Sequence, residues 1–166
     1  MLSGGSVQIK GAMIKENSKE KGEKEVIKNL EVSRIEDVMK IWLEVNIDAH
    51  DFISEEYWNT NYDFVKQVLP EATVYVQEEK GEIKGFIGIV EESYIAGLFV
   101  AKPYYSQGIG SALLQKCKQE YPLLRLNVYA KNIKAVNFYK KHGFEIEQEK
   151  VNDETEELEY SMLWKR

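Results

Sequence analysis

The sequence predicts an α/β domain with a mixed sheet. Hydrophobic spacing switches between a helical period and strand alternation along the chain, giving the order β-α-α-β-β-β-α-β-α-β-β. A length of 166 residues fits one domain, and a chain of that size buries about 70% of its unfolded surface. Hydrophobic residues at 43% and charged residues at 30% exclude general disorder. No apolar run approaches the ~18 residues of a membrane-spanning helix.

The first strand is expected at Val26–Leu30. Ser33 and Glu36 then have the spacing of a capping box, and Ile35, Val38, Ile41, Trp42, Val45 and Ala49 form one helical face. A second helix starts after Ser54, with Glu55 and Glu56 suited to the positive end of its dipole. Its face is Trp58, Tyr62, Val65 and Leu69, and Pro70 ends it. Thr73–Glu78 alternates as a strand, residues 79–82 turn at Gly81, and Ile83–Glu91 runs back. Tyr94–Val100 is nearly continuously apolar, as in a sheet centre, and Pro103 closes it. A glycine-bearing loop leads into a helix over Gly110–Tyr121 with the stripe Ile109, Leu113, Cys117 and Tyr121, which makes Cys117 a core residue. Leu124–Tyr129 is the next strand. Asn132 caps a helix running to about His142, and Gly143 ends it with positive φ. Phe144–Val151 and Glu157–Trp164 form a closing hairpin around Asn152–Asp153.

Charge narrows the partners. The formal net charge is −6. Residues 1–24 hold Lys10, Lys15, Lys19, Lys21 and Lys24 against Glu16, Glu20 and Glu23, so the remaining body is the more acidic part. An acidic body repels phosphate backbones, so no nucleic-acid partner is expected, and no membrane partner either. Residues 1–24 read as a flexible tail and 25–166 as the folded domain. The lone Cys117 cannot form an internal disulfide, and the N-terminus lacks the apolar segment of a signal peptide, so a cytoplasmic location is expected. His50 and His142 are the only histidines, too few with Cys117 for a metal site of the usual ligand number, so no metal is expected.

The stretch Leu98–Leu114 carries the chemistry. An apolar strand runs into Gly108-Ile109-Gly110, and a helix begins at once. Glycines admit close backbone approach, and a helix start offers unpaired N–H groups and a positive dipole end, a site for phosphate or pyrophosphate. A Walker A loop would need Gly-Lys-Ser/Thr, but Ser111 and Ala112 follow Gly110. A dinucleotide fingerprint would need Gly or Ala at Leu113 and would follow the first strand of its fold.

These residues resemble the Gcn5-related N-acetyltransferase (GNAT) family. Its central motif, Arg/Gln-x-x-Gly-x-Gly/Ala, corresponds here to Tyr105-Ser106-Gln107-Gly108-Ile109-Gly110, with tyrosine at the first position. A second block, Asn-x-x-Ala-x-x-Phe-Tyr-x-x-x-Gly-Phe, is complete as Asn132, Ala135, Phe138, Tyr139, Gly143 and Phe144. The resemblance covers about residues 25–166 and implies a mixed, mostly antiparallel central sheet flanked by helices. The segment His50-Asp51-Phe52, with Leu69-Pro70 ahead of the second strand, is similar to small bacterial members of the family.

The resemblance implies an N-acetyltransferase that moves an acetyl group from acetyl-CoA to a primary amine by direct attack. The acceptor is a small-molecule amine or a protein amino group, and the enzyme is a monomer or homodimer. Backbone groups of Leu98, Phe99 and Val100 would pair with the pantetheine arm. N–H groups of Ser106, Gln107, Gly108, Ile109, Gly110 and Ser111 would hold the pyrophosphate, with Asn132 and Phe138 also at the coenzyme. Tyr139 would assist the departing thiolate. Many relatives place a base glutamate where this chain has Tyr94 and Asn127, leaving Glu91 and Glu92 as nearby carboxylates. His50 and Asp51 either line the acceptor pocket, with Asn127, or form a helix-ending His–Asp hydrogen bond. Trp58 and Tyr62 either wall that pocket or belong to the core. Two other readings stand beside transfer to an amine: an acetyl-CoA sensor or docking module without turnover, and a transferase of another acyl group.

Overall fold

The computed structural model describes residues 25–166, so the tail expected over residues 1–24 lies outside the described residues. The described residues form seven strands and four α-helices in the expected order: β1 (Val26–Asn29), α1 (Ile35–Ala49), α2 (Glu55–Val68), β2 (Thr73–Glu79), β3 (Glu82–Val90), β4 (Tyr94–Val100), α3 (Ile109–Glu120), β5 (Leu123–Tyr129), α4 (Ile133–Lys141), β6 (Glu145–Val151) and β7 (Leu158–Lys165). They build one sheet in the spatial order β1-β2-β3-β4-β5-β7-β6. Its neighbours pair antiparallel except β4 and β5, which run parallel.

The sheet separates two cores. On one face α1 and α2 bury Val38, Met39, Trp42, Trp58 and Val65 against Val74, Phe86, Phe99 and Tyr129. On the other, α3 and α4 bury Leu113, Leu114, Cys117, Ala135 and Tyr139 against Ile87, Ile95, Leu98 and Leu126. Each large apolar side chain so buried contributes about 1.5–3 kcal/mol relative to exposure. Strand β4 lies between both cores, which explains its almost uninterrupted apolar run. Strand β6 is the opposite case: all seven residues are exposed. Glu145, Glu147, Glu149 and Lys150 place charge on this sheet edge, where unpaired strands risk self-association.

Two expectations need correction. The capping box does not form, because Val32–Arg34 makes a 3-10 turn and shifts the N-cap of α1 to Arg34. The Arg34 guanidinium instead bonds Asp37 at 2.5 Å, Glu78 at 2.6 Å and the Gly81 carbonyl at 2.8 Å. Glu36 turns away to Lys66 and to the Tyr62 hydroxyl. The closing hairpin has a wider loop than a turn at Asn152–Asp153, since Glu157 precedes β7. Asn152 organises that loop: its side-chain oxygen accepts from the Glu154 and Thr155 amides at 2.9 and 3.0 Å.

Candidate active site

Strands β4 and β5 are joined by two residue pairs, Tyr94 with Arg125 and Ile95 with Leu126. Beyond them the parallel strands part, although β4 continues to Val100 and β5 to Tyr129. Their facing edges thus leave backbone groups without a strand neighbour, the feature a bound extended chain can use. A β-bulge lies at the parting. Gly88 pairs with Gly97 while Ile89 pairs with Ile95, so Ala96 is an extra residue. It reverses the alternation, sending Ile95, Leu98 and Val100 to one core and Phe99 to the other. Gly97 is needed here because a Cβ would stand 2.2 Å from the Phe99 ring. Leu98, Phe99 and Val100 therefore occupy the open stretch of β4.

Residues 106–111 follow at the mouth of this split. Ser106 and Gly108 adopt positive φ of 65° and 79°. Gly108 is the N-cap of α3 and supplies no side-chain cap. The first helical bond is donated by Ala112 to the Gly108 carbonyl at 3.0 Å. The Ile109, Gly110 and Ser111 amides precede it and have no intrahelical acceptor, so the helix start suits an anion. Tyr105 packs on the adjoining core, and burial, followed by the facing Asp48, pushes its phenol up to about 12.

Tyr139 lies on the inner face of α4 at 0% exposure, and its hydroxyl has no hydrogen-bond partner among the described residues. Its pKa is raised well above the usual 10 by burial first, then by Tyr94 and Cys117. The phenol is therefore protonated at neutral pH, able to donate a hydrogen bond and unable to act as a base. A buried hydroxyl left unpaired in a packed core fits a site whose partner comes with the ligand. Burial likewise pushes the Cys117 thiol up to about 12, which removes it as a nucleophile.

On the α2 side the split adjoins a pocket of about 440 Å³. Phe64, Val68, Ala72 and Val90 form apolar walls, Tyr94 and Asn127 add polar groups, and Glu71 and Glu91 contribute carboxylates. Asn127 Oδ1 accepts from Ser161 Oγ at 2.8 Å, and the Asn127 backbone amide bonds the Tyr94 hydroxyl. Burial pushes Tyr94 up to about 12. Glu91 and Glu92 form the β3–β4 turn with φ of 48° and 68°.

Of the acceptor-side residues read from the sequence, the structure brings Asn127 to this pocket. It does not make the His–Asp hydrogen bond: Asp51 is exposed, and the two ring nitrogens of His50 face Asn46 and Asn132. Trp58 is core, and Tyr62 packs partly buried beside it. Sequence reasoning missed Phe64 and Val68, whose i, i+4 spacing on α2 was the available signal. It also missed Glu159, 1% exposed on β7, which accepts from Asn152 Nδ2 at 2.9 Å and is raised in pKa mainly by burial.

Residues 43–162 match the family model described as acetyltransferase (GNAT) domain. The chain is 36% identical over 140 residues to peptidyl-lysine N-acetyltransferase YiaC of Escherichia coli, covering 84% of this chain and 96% of that protein. Its fold is similar to the solution structure of apo YjaB from Escherichia coli, with a TM-score of 0.75 and 28% identity over 85% of this chain and 97% of that one. A PaiA N-acetyltransferase from Thermoplasma acidophilum, solved with coenzyme A, has the same fold at a TM-score of 0.70 and 20% identity, with coverage of 86% and 99%. Among the described residues no helix is long and apolar enough to cross a membrane.

Proposed function

The chain belongs to the GNAT acetyltransferase family, and from that premise we propose that it transfers the acetyl group of acetyl-CoA to the side-chain amine of a protein lysine. The observation that carries the lysine assignment is the pocket beside the β4–β5 split. Its apolar walls match an alkyl stem, while Glu71 and Glu91 favour an incoming ammonium group. The 36% identity to a peptidyl-lysine N-acetyltransferase supports the same acceptor.

The chain's own groups divide the work. Backbone groups of Leu98, Phe99 and Val100 pair with the pantetheine arm as another strand would. The amides from Ser106 to Ser111 hold the pyrophosphate at the start of α3. Asn132 and Phe138 border the coenzyme from α4. The neutral amine nitrogen forms its bond to the thioester carbonyl carbon as the carbon–sulfur bond breaks. Tyr139 gives its hydroxyl proton to the departing sulfur, and the proton shed by the amine passes to water and restores the phenol. Neither Tyr94 nor Tyr139 is ionised near pH 7, so neither accepts that proton.

Incubation with acetyl-CoA and a panel of lysine peptides, peptides blocked at lysine, polyamines and aminoglycosides tests the assignment by mass spectrometry. Acetylation of lysine Nζ at rates well above the other amines is expected. Faster modification of α-amines or free polyamines would overturn the lysine assignment while leaving acetyl transfer intact.

A further inference from the structure

His50 forms the C-cap of α1, and its ring is 1% exposed. It stacks on Trp58 with centroids 5.0 Å apart at 25°, while Phe52 and Tyr129 meet it edge-on at 5.6 and 5.2 Å. Burial in this aromatic cage pushes its pKa down to about 4, so the ring is neutral and carries one N–H. Geometry assigns that proton. Nδ1 lies 3.0 Å from the Asn46 carbonyl, which can only accept, so Nδ1 is the donor. Nε2 is then an acceptor, and it lies 3.4 Å from Asn132 Nδ2.

Asn132 is fixed from its other end. Its Oδ1 accepts from the Ala135 amide at 3.3 Å as the N-cap of α4, which directs Nδ2 toward His50. A one-way chain results, from the Ala135 amide through Asn132 and His50 to the Asn46 carbonyl. It joins the helix pair on one face of the sheet to α4 on the other, just past the C-terminal end of β5. Ala135 and Tyr139 are four residues apart, so they share a face of α4.

We propose that His50 is a positioning residue for acetyl transfer, holding the Asn132 cap and thereby the placement of Tyr139 against the reacting sulfur. The inference rests on the role given to Tyr139 above. It also assigns His50 a different task from contact with the acceptor, since Asn46 and Asn132 account for both nitrogens and the ring is 1% exposed among Trp58, Phe52 and Tyr129. Displacements of about 1 Å at a reacting group cost on the order of 10²-fold in rate, so loss of the chain should be visible in kcat.

The test uses the full chain and a lysine peptide at saturating acetyl-CoA. His50→Phe retains an aromatic ring in the cage and removes both hydrogen bonds. Its kcat should fall roughly 10–100-fold, with the KM for the peptide changed less than about twofold. His50→Gln, which restores one donor and one acceptor, should recover part of that loss. Asn132→Ser keeps a capping oxygen for the Ala135 amide but loses the donor to His50; it should lower kcat similarly and serves if His50→Phe does not fold. The two-site cycle with Tyr139→Phe decides the mechanism: His50→Phe should cost little further once the phenol is absent. Wild-type kcat in folded His50→Phe or Asn132→Ser, or losses that multiply fully in the double variant, would overturn the proposal. If Tyr139→Phe alone has wild-type kcat, the leaving-group reading fails instead, a result distinct from slow Tyr139→Phe beside a fully active His50→Phe.

Discussion

Replacing Tyr139 with phenylalanine should stabilise the fold while disabling the enzyme. The hydroxyl is fully buried without a partner among the described residues, and such a group costs about 1–3 kcal/mol by mutational measure. Phenylalanine keeps the ring contacts with Phe138 and Phe144, whose centroids lie 5.3 and 5.4 Å away. For a domain of this size each kcal/mol moves Tm by about 2–4 °C, so thermal unfolding should shift upward by about 2–12 °C. In the proposed mechanism the same change removes the donor to the departing sulfur, and such general acid assistance is typically worth about 10²–10⁴-fold in kcat. Calorimetry without ligand and steady-state assays with a lysine peptide measure the two effects on one preparation. The KM for acetyl-CoA should change little, because the thioester sulfur is a weak acceptor before the bond breaks. A lower Tm together with wild-type kcat would refute the reasoning on both counts, showing a phenol that is satisfied in the fold and idle in the reaction.

Acetyl-CoA at 100 times its Kd should stabilise the wild-type chain by about 2.7 kcal/mol, and Gly110→Asp should abolish most of that gain in a thermal-shift titration by facing the pyrophosphate with a carboxylate. Because His50 is depressed from 6.5 to about 4, the unfolded chain binds its proton first on acidification, so stability should fall by about 3 kcal/mol between those values. Denaturant titrations of wild type and His50→Gln should show that the slope with pH in this window flattens in the variant. With a lysine-like acceptor, about one part in 10³ neutral at pH 7.4, the rate at subsaturating amine should rise roughly tenfold per pH unit from about 7 to 9. An α-amine acceptor of pKa about 7.7–8.0 should level off earlier; profiles that both flatten near pH 7 would reveal an enzymic base and direct attention to Glu91→Gln.

The element order was legible because each helix and strand carries its own period. Asn132 and Gly143 were legible for local reasons too: one accepts from the Ala135 amide three residues on, the other takes φ of 86°. What the sequence concealed depends on register and distance. The bulge at Ala96 lies beside Gly97, over which the Phe99 ring sits, and no local pattern announces it. His50 and Asn132 are 82 residues apart, so their contact is a product of the fold alone. The capping box failed for a related reason. Its spacing was right, but Arg34 found longer-range partners in Glu78 and the Gly81 carbonyl, and Glu36 found Lys66.

The same contrast explains how the site handles protons. Where a strand carboxylate would serve as base, β4 and β5 present Tyr94 and Asn127, and burial moves the Tyr94 phenol still further from ionising, up to about 12. Burial likewise raises Tyr139 well above its ordinary value. The two phenols keep their protons near pH 7, so each can donate a hydrogen bond and neither can act as the base. The two carboxylates of the pocket, Glu71 and Glu91, line its surface with ordinary solvent access to their neighbours, so they favour the arriving ammonium ion by charge. Attraction of the charged amine and reaction of the neutral amine thus pull in opposite directions. The apolar walls between them resolve the conflict, because Phe64, Val68 and Val90 disfavour the charged form as the amine moves inward toward Tyr94. In the proposed mechanism, desolvation along that short path would lower the amine pKa where the proton can still leave to water, with Tyr139 as the donor to the sulfur.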